Sequence, residues 1–176
     1  MTEKATAVIE TSTPCGSVGI FDGAWRQSTF SSDRSTNCAI FAPWQEISDS
    51  LAPGDLGLIL VGTGPGSYSG TRVGLAVGQG LAIAHGCSLV GIPSVLGTIP
   101  ARSLPKCRVI GDARRGDWWW WDFTDGCGDP APTMGSKEQL ADLLADGIPT
   151  FSLEAIPEQT FAREIPQETP DAKLLW

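Results

Sequence analysis

Residues 62–84 read GTGPGSYSGTRVGLAVGQGLAIA, a glycine-rich turn that opens a helix. Just upstream, residues 56–61 (LGLILV) form a nearly continuous apolar run, of the kind carried by a strand covered on both faces. Strand, glycine turn and uncharged helix in that order predict a central parallel strand with its crossover helix in an α/β fold. Gly64, Gly66 and Gly70 permit close approach of another group, and Ser67 or Ser69 can cap the helix near Arg72. Two readings of the turn stand side by side. In one it is an anion cradle, with exposed N–H groups at a helix N-terminus and Arg72 adding charge, which makes Gly64, Gly66, Ser67, Gly70 and Arg72 candidate nucleotide- or anion-binding residues. In the other it is a tight strand-to-helix turn. The spacing matches neither a Walker loop, since no Gly-Lys-Ser/Thr follows, nor the dinucleotide fingerprint.

From Val73 to Ala84 the helix carries no charge, and its only polar side chain is Gln79. Gly74, Gly78 and Gly80 each cost about 1 kcal/mol relative to alanine inside a helix, a penalty tolerated where backbones must come close. One face can pack on the sheet. The other then needs a second layer, supplied by the chain's own first helix or by another subunit. Val73, Gly74, Val77, Gly78 and Leu81 are the candidate partner-binding residues, with intramolecular core packing as the alternative.

Toward the N-terminus, residues 5–11, 17–21 and 25–31 are short β-type runs separated by turn residues, which predicts three successive antiparallel strands. Ile40, Trp44 and Ile47 then recur at helical spacing, predicting a crossover helix over 39–51 that Pro53 and Gly54 close. Beyond the glycine helix, residues 88–92 read as a further strand and 93–100 as a short helical turn. Composition shifts at 101–106. A hairpin follows, with strands over 108–113 and 117–123 around Arg114-Arg115-Gly116. The division expected is therefore a first lobe over 1–103 and a shortened second lobe over 104–176. Tryptophans fill positions 118–121; on a strand they alternate faces, so two point inward and two outward, with a C-terminal helix or the tail expected to cover the outer pair. Residues 136–146 predict a capped amphipathic helix, 148–153 a last strand, and 154–176 an irregular tail or one that wraps over the body.

The 176 residues carry 20 acidic and 12 basic side chains, a formal charge of -8. That balance offers no global field for a phosphate backbone, so the chain alone is expected to bind nucleic acid poorly. Cys15, Cys38, Cys87, Cys107 and Cys127 show neither C-x-x-C nor disulfide-framework spacing and read as thiols of a reducing compartment. No uncharged apolar run reaches the ~20 residues of a membrane-spanning helix, so a cytoplasmic protein without membrane contact is expected. The single histidine, His85, falls at a helix end; with no second histidine, a zinc protease or other histidine-rich metal site is disfavoured, and no metal ligands are assigned. Glu10 and Asp112 sit at strand ends where cleft residues often lie, with ordinary turn hydrogen bonding as the plain alternative.

Three stretches, residues 7–11, GPGSYSGTRVGLAVGQGLA over 64–82 and GIPSVLG over 91–97, together resemble the bacterial TsaB (YeaZ) family. Asp112-Ala113-Arg114-Arg115-Gly116-Asp117 is similar to that family's second-lobe hairpin. The resemblance implies two ribonuclease-H-like lobes of the actin and sugar-kinase superfamily, the first built on a mixed five-stranded sheet. It implies a non-catalytic subunit, with no catalytic residues of its own, that helps make N6-threonylcarbamoyladenosine in tRNAs reading codons that begin with A. Its expected partners are a TsaD-like transferase, which holds the metal and transfers the group, and a TsaE-like ATPase. tRNA is reached only through the complex, a homodimer is the competing assembly, and ATP or ADP at the shared surface is the only nucleotide implied. The chain departs from the family pattern at Ile9-Glu10-Thr11, where aspartate is usual, around 34–38, where a histidine is common, and in a second lobe shorter than usual. Two alternatives remain: an ATP-binding kinase-like protein of the same superfamily, and a glycoprotease-like peptidase homologue, the weaker of the two with one histidine.

Overall fold

The computed structural model describes residues 4–31 and 39–176; positions 34–38, where the chain lacks the histidine common in the family, lie outside them. The chain divides into two compact units, one reaching to Gly97 and including Pro170–Trp176, the other Thr98–Thr169.

In the first unit, β1 (Ala5–Glu10), β2 (Cys15–Phe21) and β3 (Trp25–Ser31) form the antiparallel meander, and α1 (Phe41–Ser48) crosses to β4 (Leu56–Gly62). The glycine turn leads into α2 (Tyr68–His85), and β5 (Ser88–Ile92) follows. The sheet runs β3-β2-β1-β4-β5, with β4 parallel to both β1 and β5. This is the mixed five-stranded lobe that the sequence predicts. Alternation along the strands sorts the side chains: Ala7, Ile9, Val18, Ile20, Ile59 and Val61 pack toward α1 and α2, while Val8 and Leu60 belong to a core on the other face. Gly86, with φ 62°, ends α2 in a left-handed C-cap.

The second unit begins with α3 (Ile99–Ser103), which the sequence reading merged into one turn over 93–100. A 3-10 turn covers Ser94–Gly97 instead, and Pro100 lies in the first turn of α3, where its missing N–H leaves no intrahelical bond unmade. β6 (Lys106–Arg114) and β7 (Asp117–Thr124) form the expected hairpin. Two short strands not foreseen, β8 (Cys127–Gly128) and β9 (Thr133–Ser136), both pair with β7. Then come α4 (Lys137–Leu143), with a capping box between Ser136 and Gln139, and β10 (Thr150–Ser152), parallel to β6.

The tail is irregular only in part. α5 (Ala172–Leu175) returns to the first unit, where Ala172 and Leu175 are buried with Val8 and Leu60. The Ala172 amide donates to Ser17 Oγ at 2.9 Å, and Trp176 stacks on Phe21 with ring centroids 4.9 Å apart. The tryptophans of β7 alternate as expected. Trp118 and Trp120 pack against the Ile110, Leu140 and Leu144 cluster, with Phe161 meeting Trp118 edge-on at 4.7 Å. Trp119 lies across Gly111 on the other face, and Trp121 donates Nε1–H to the Asp129 carbonyl at 2.8 Å. Among the described residues no helix is long and apolar enough to cross a membrane.

Candidate functional site

The turn from β4 to α2 is the first place to look for chemistry. Gly64 has φ 88°, backbone that favours glycine. Ser67 caps α2, its Oγ accepting from the Gly70 amide at 3.2 Å. The turn closes on the chain's own β1–β2 loop. Ser67 N donates to the Ser12 carbonyl at 2.6 Å and Thr11 Oγ1 to the Gly70 carbonyl at 2.9 Å. Gly64 N donates to Ser94 Oγ at 3.0 Å, and Ser94 N returns a bond to the Gly64 carbonyl at 2.8 Å. A Cβ on Gly66 would run into the Ser12 carbonyl, one on Gly70 into the Thr11 carbonyl and one on Gly74 into the Thr11 hydroxyl. These glycines make room for Thr11 and Ser12.

Of the candidate anion-binding residues, Gly64, Gly66, Ser67 and Gly70 therefore meet in one turn, but the amides of Gly64, Ser67 and Gly70 already have acceptors within the protein. Arg72 stands apart from them on the exposed side of α2, its guanidinium 5.2 Å from the Tyr68 ring centroid and donating to the Tyr68 hydroxyl at 3.3 Å. Those three amides are therefore not free to cradle a phosphate.

Beneath the turn lies Glu10, at 0 % exposure. Its Oε1 accepts from the Ser12 amide at 2.5 Å, while Oε2 and Ser12 Oγ find no hydrogen-bond partner among the described residues. Burial raises the carboxyl above its usual range; the Ser12 hydroxyl and amide and the Ser94 hydroxyl beside it pull the other way and only in part. The sequence leaves Glu10 as either a cleft carboxylate or an ordinary turn acceptor, and the Ser12 amide bond is of the second kind. In the fold the carboxyl is sealed.

The five candidate partner residues of α2 face inward or sideways. Gly74 and Gly78 are buried on the sheet side, the latter just 3.1 Å short of Leu89 if given a Cβ; Val73, Val77 and Leu81 pack half-buried against the core. The solvent side of α2 carries Arg72, Ala76, Gln79, Gly80 and Ile83, with Ile83 at 83 % and Tyr68 at 76 % exposure. Apart from Arg72 that stripe is uncharged. The reason for the difference is that a helix without a polar face gives no periodic signal to orient it. His85, at the end of α2, accepts from the Gly54 amide at Nδ1 (3.2 Å) and so ties the helix to the turn before β4.

In the second unit Asp112, the other carboxylate picked out by position, supports the β6–β7 hairpin: Oδ1 accepts from Arg114 N at 2.6 Å and Oδ2 from the Arg114 guanidinium at 3.1 Å. A polar network missed in the sequence surrounds Arg108, whose side chain is 2 % exposed. It donates to Asp122 from Nε and Nη2 at 2.6 and 2.8 Å, to Asp146 at 3.0 Å and to the Leu143 carbonyl at 3.2 Å. A charge inside the run Arg108-Val109-Ile110, in register with Asp122 on the next strand, was the signal available. Among the described residues no three His, Cys, Asp or Glu side chains gather as a metal site would.

Comparison with known proteins places this geometry. The family model for TsaD, tRNA N6-adenosine threonylcarbamoyltransferase, matches residues 47–131, which include the whole glycine turn and α2. The tRNA threonylcarbamoyladenosine biosynthesis protein TsaB of Escherichia coli is 30% identical over 73 residues, 39% of this chain and 32% of that protein. The chain is similar to TsaB (YeaZ) over that stretch. The structure of YeaZ from Pseudomonas aeruginosa superposes with a TM-score of 0.71 over 98% of this chain and 89% of that one, at 21% identity, a likeness of fold. An uncharacterized protein of Mycobacterium leprae is 36% identical over 90 residues, 51% of this chain. The chain spans a quarter to a third of the length of those two sequence relatives, 25% and 32%.

Proposed function

We propose that this TsaB relative is a non-catalytic partner subunit of a TsaD-type transferase in the formation of N6-threonylcarbamoyladenosine in tRNA, with a TsaE-type ATPase completing the set and tRNA reached only through the complex, in the cytoplasm. Likeness to TsaB carries the reading. The structure adds a physical support: the outer side of α2 offers small and apolar residues with no charge from Ala76 to Ile83, a surface that gains from being covered. Nucleotide enters this reading only at the surface shared with the partner, where the partner supplies donors that the glycine turn has already committed. A kinase-like reading needs those same amides free and is the weaker one.

Size-exclusion chromatography with light scattering tests it, mixing the chain with the TsaD-type protein of its own organism. Wild type is expected to form a complex, and Ala76→Glu and Ile83→Asp, which charge the exposed stripe and leave the sheet side alone, are expected to lose it while keeping wild-type circular dichroism. No complex from folded wild type, with or without ATP, overturns the reading. Self-association abolished by the same variants identifies the homodimer as the competitor for this face.

A further inference from the structure

The tip of the β6–β7 hairpin is built from residues the turn does not favour. Arg114 has φ 72°, Arg115 φ 60° and Gly116 φ 95°, three consecutive left-handed residues of which only glycine adopts that backbone freely. Asparagine or glycine at both arginine positions would make the same turn with less strain, so folding does not explain the arginines. Strain of this kind points toward a use for the side chains.

The tip is also held. Asp112 fixes Arg114 through both its amide and its guanidinium, and Glu154 Oε1 in turn accepts from the Asp112 amide at 2.8 Å. The Arg114 side chain nevertheless stays 75 % exposed. Arg115, at the very tip, is exposed and has no hydrogen-bond or ion-pair partner among the described residues. Asp112, Asp117 and Glu154 nearby offset the two positive charges, and the chain as a whole carries -8. Long-range attraction of a polyanion is therefore missing, whereas the short-range bidentate match of a guanidinium fork to one carboxylate is not.

We propose that Arg115, oriented by the strained turn and flanked by Arg114, is a contact for a carboxylate on the surface of a protein partner. This rests on the partner-subunit reading above and adds to it a contact on the second unit.

The dissociation constant for the TsaD-type protein of the same organism, measured by titration calorimetry together with thermal melts, tests the contact. Arg115→Asn is expected to melt higher than wild type and to bind at least tenfold more weakly; Arg115→Lys, which keeps the charge and loses the fork, is expected to bind more weakly as well. An unchanged dissociation constant for Arg115→Asn overturns the contact, as does a melting temperature below wild type. A complex of full affinity that has lost only tRNA retention overturns it in favour of RNA. If wild type fails to bind at all, the partner reading falls and this contact with it.

Discussion

Oε2 of Glu10 fills the space that a side chain on Gly62 would need. The pair lies between β1 and the end of β4, and it determines how a buried carboxyl behaves. Burial raises the Glu10 pKa above its ordinary 4.5, so between that value and the folded one the native chain holds a proton that the unfolded chain has released. Stability contributed by this group is therefore full at low pH and falls as pH rises through that window. Glu10→Gln keeps an oxygen for the Ser12 amide and removes the ionisation. We expect it to melt higher than wild type at pH 7.5, to match it near pH 4, and to flatten the slope between, read by calorimetry across pH; a wild-type slope retained in the variant assigns the titration to another group.

The glycines of the turn and of α2 separate into two kinds. Gly70→Ala drives a methyl into the Thr11 carbonyl, a backbone atom that cannot swing away, and should cost about 1–3 kcal/mol as overpacking does. Gly80→Ala meets nothing within 4 Å on the outer side of α2 and should stabilise by roughly 0.5–1 kcal/mol through helix propensity. Urea unfolding of both variants checks the contrast, and equal effects would show that Thr11 does not pack against α2 at Gly70.

How far the sequence reveals the fold depends on how local each signal is. The apolar run before Gly62, the capping serine at 67 or 69 (Ser67 in the fold) and the strand-length runs flanking β2 are local signals, and each is found where it was expected. Facing is not local in α2: Gly74 and Gly80 look alike in the chain, yet one lies against Thr11 and the other against solvent, because only the tertiary position of the β1–β2 loop tells them apart. Glu10 is a similar case. An acid at a strand end reads as a cleft residue or a turn acceptor, and its burial depends on Gly62 and Ser94, both far along the chain. The boundary between the units shows the same limit, since Ala172 and Leu175 join Val8 and Leu60 across almost the whole sequence.

Among the described residues Arg108 is the one guanidinium almost fully enclosed, and its partners there are all acids or a carbonyl within the second unit. Removing one partner of such a group leaves an uncompensated buried charge, which typically costs about 3–5 kcal/mol. Asp122→Asn should approach that range, since Asp122 takes two of the guanidinium bonds, whereas Asp146→Asn, at a more exposed carboxylate, should cost clearly less. Burial opposes ionisation of Asp146, but the Ile148 amide and Arg108 outweigh it and hold its pKa below the ordinary value. Its contribution is thus present above the unfolded pKa and lost as acid carries the pH down through the folded one. Chemical denaturation at pH 7 and in acid measures both effects.

The tail supplies the last test. Leu175 is 3 % exposed and lies with Val8, Leu60 and Ala172 on the face of the first sheet that neither α1 nor α2 covers. Around it, Asp171 N donates to the Gly97 carbonyl at 2.8 Å and Gln27 donates to Asp171 Oδ2 at 2.6 Å, and the Leu175 and Asp171 atoms crowd Gly97 closely enough that a methyl there would stand 3.1 Å from each. Leu175→Ala removes the apolar anchor and should cost about 2–5 kcal/mol, while Gly97→Ala, which pushes the tail outward without deleting a contact, should reproduce part of that loss. If α5 docks as a unit, the two substitutions share one mechanism, so the double variant should lose less than the sum of the singles. Additive losses in equilibrium unfolding would instead mean that Leu175 and Gly97 act on separate parts of the first unit.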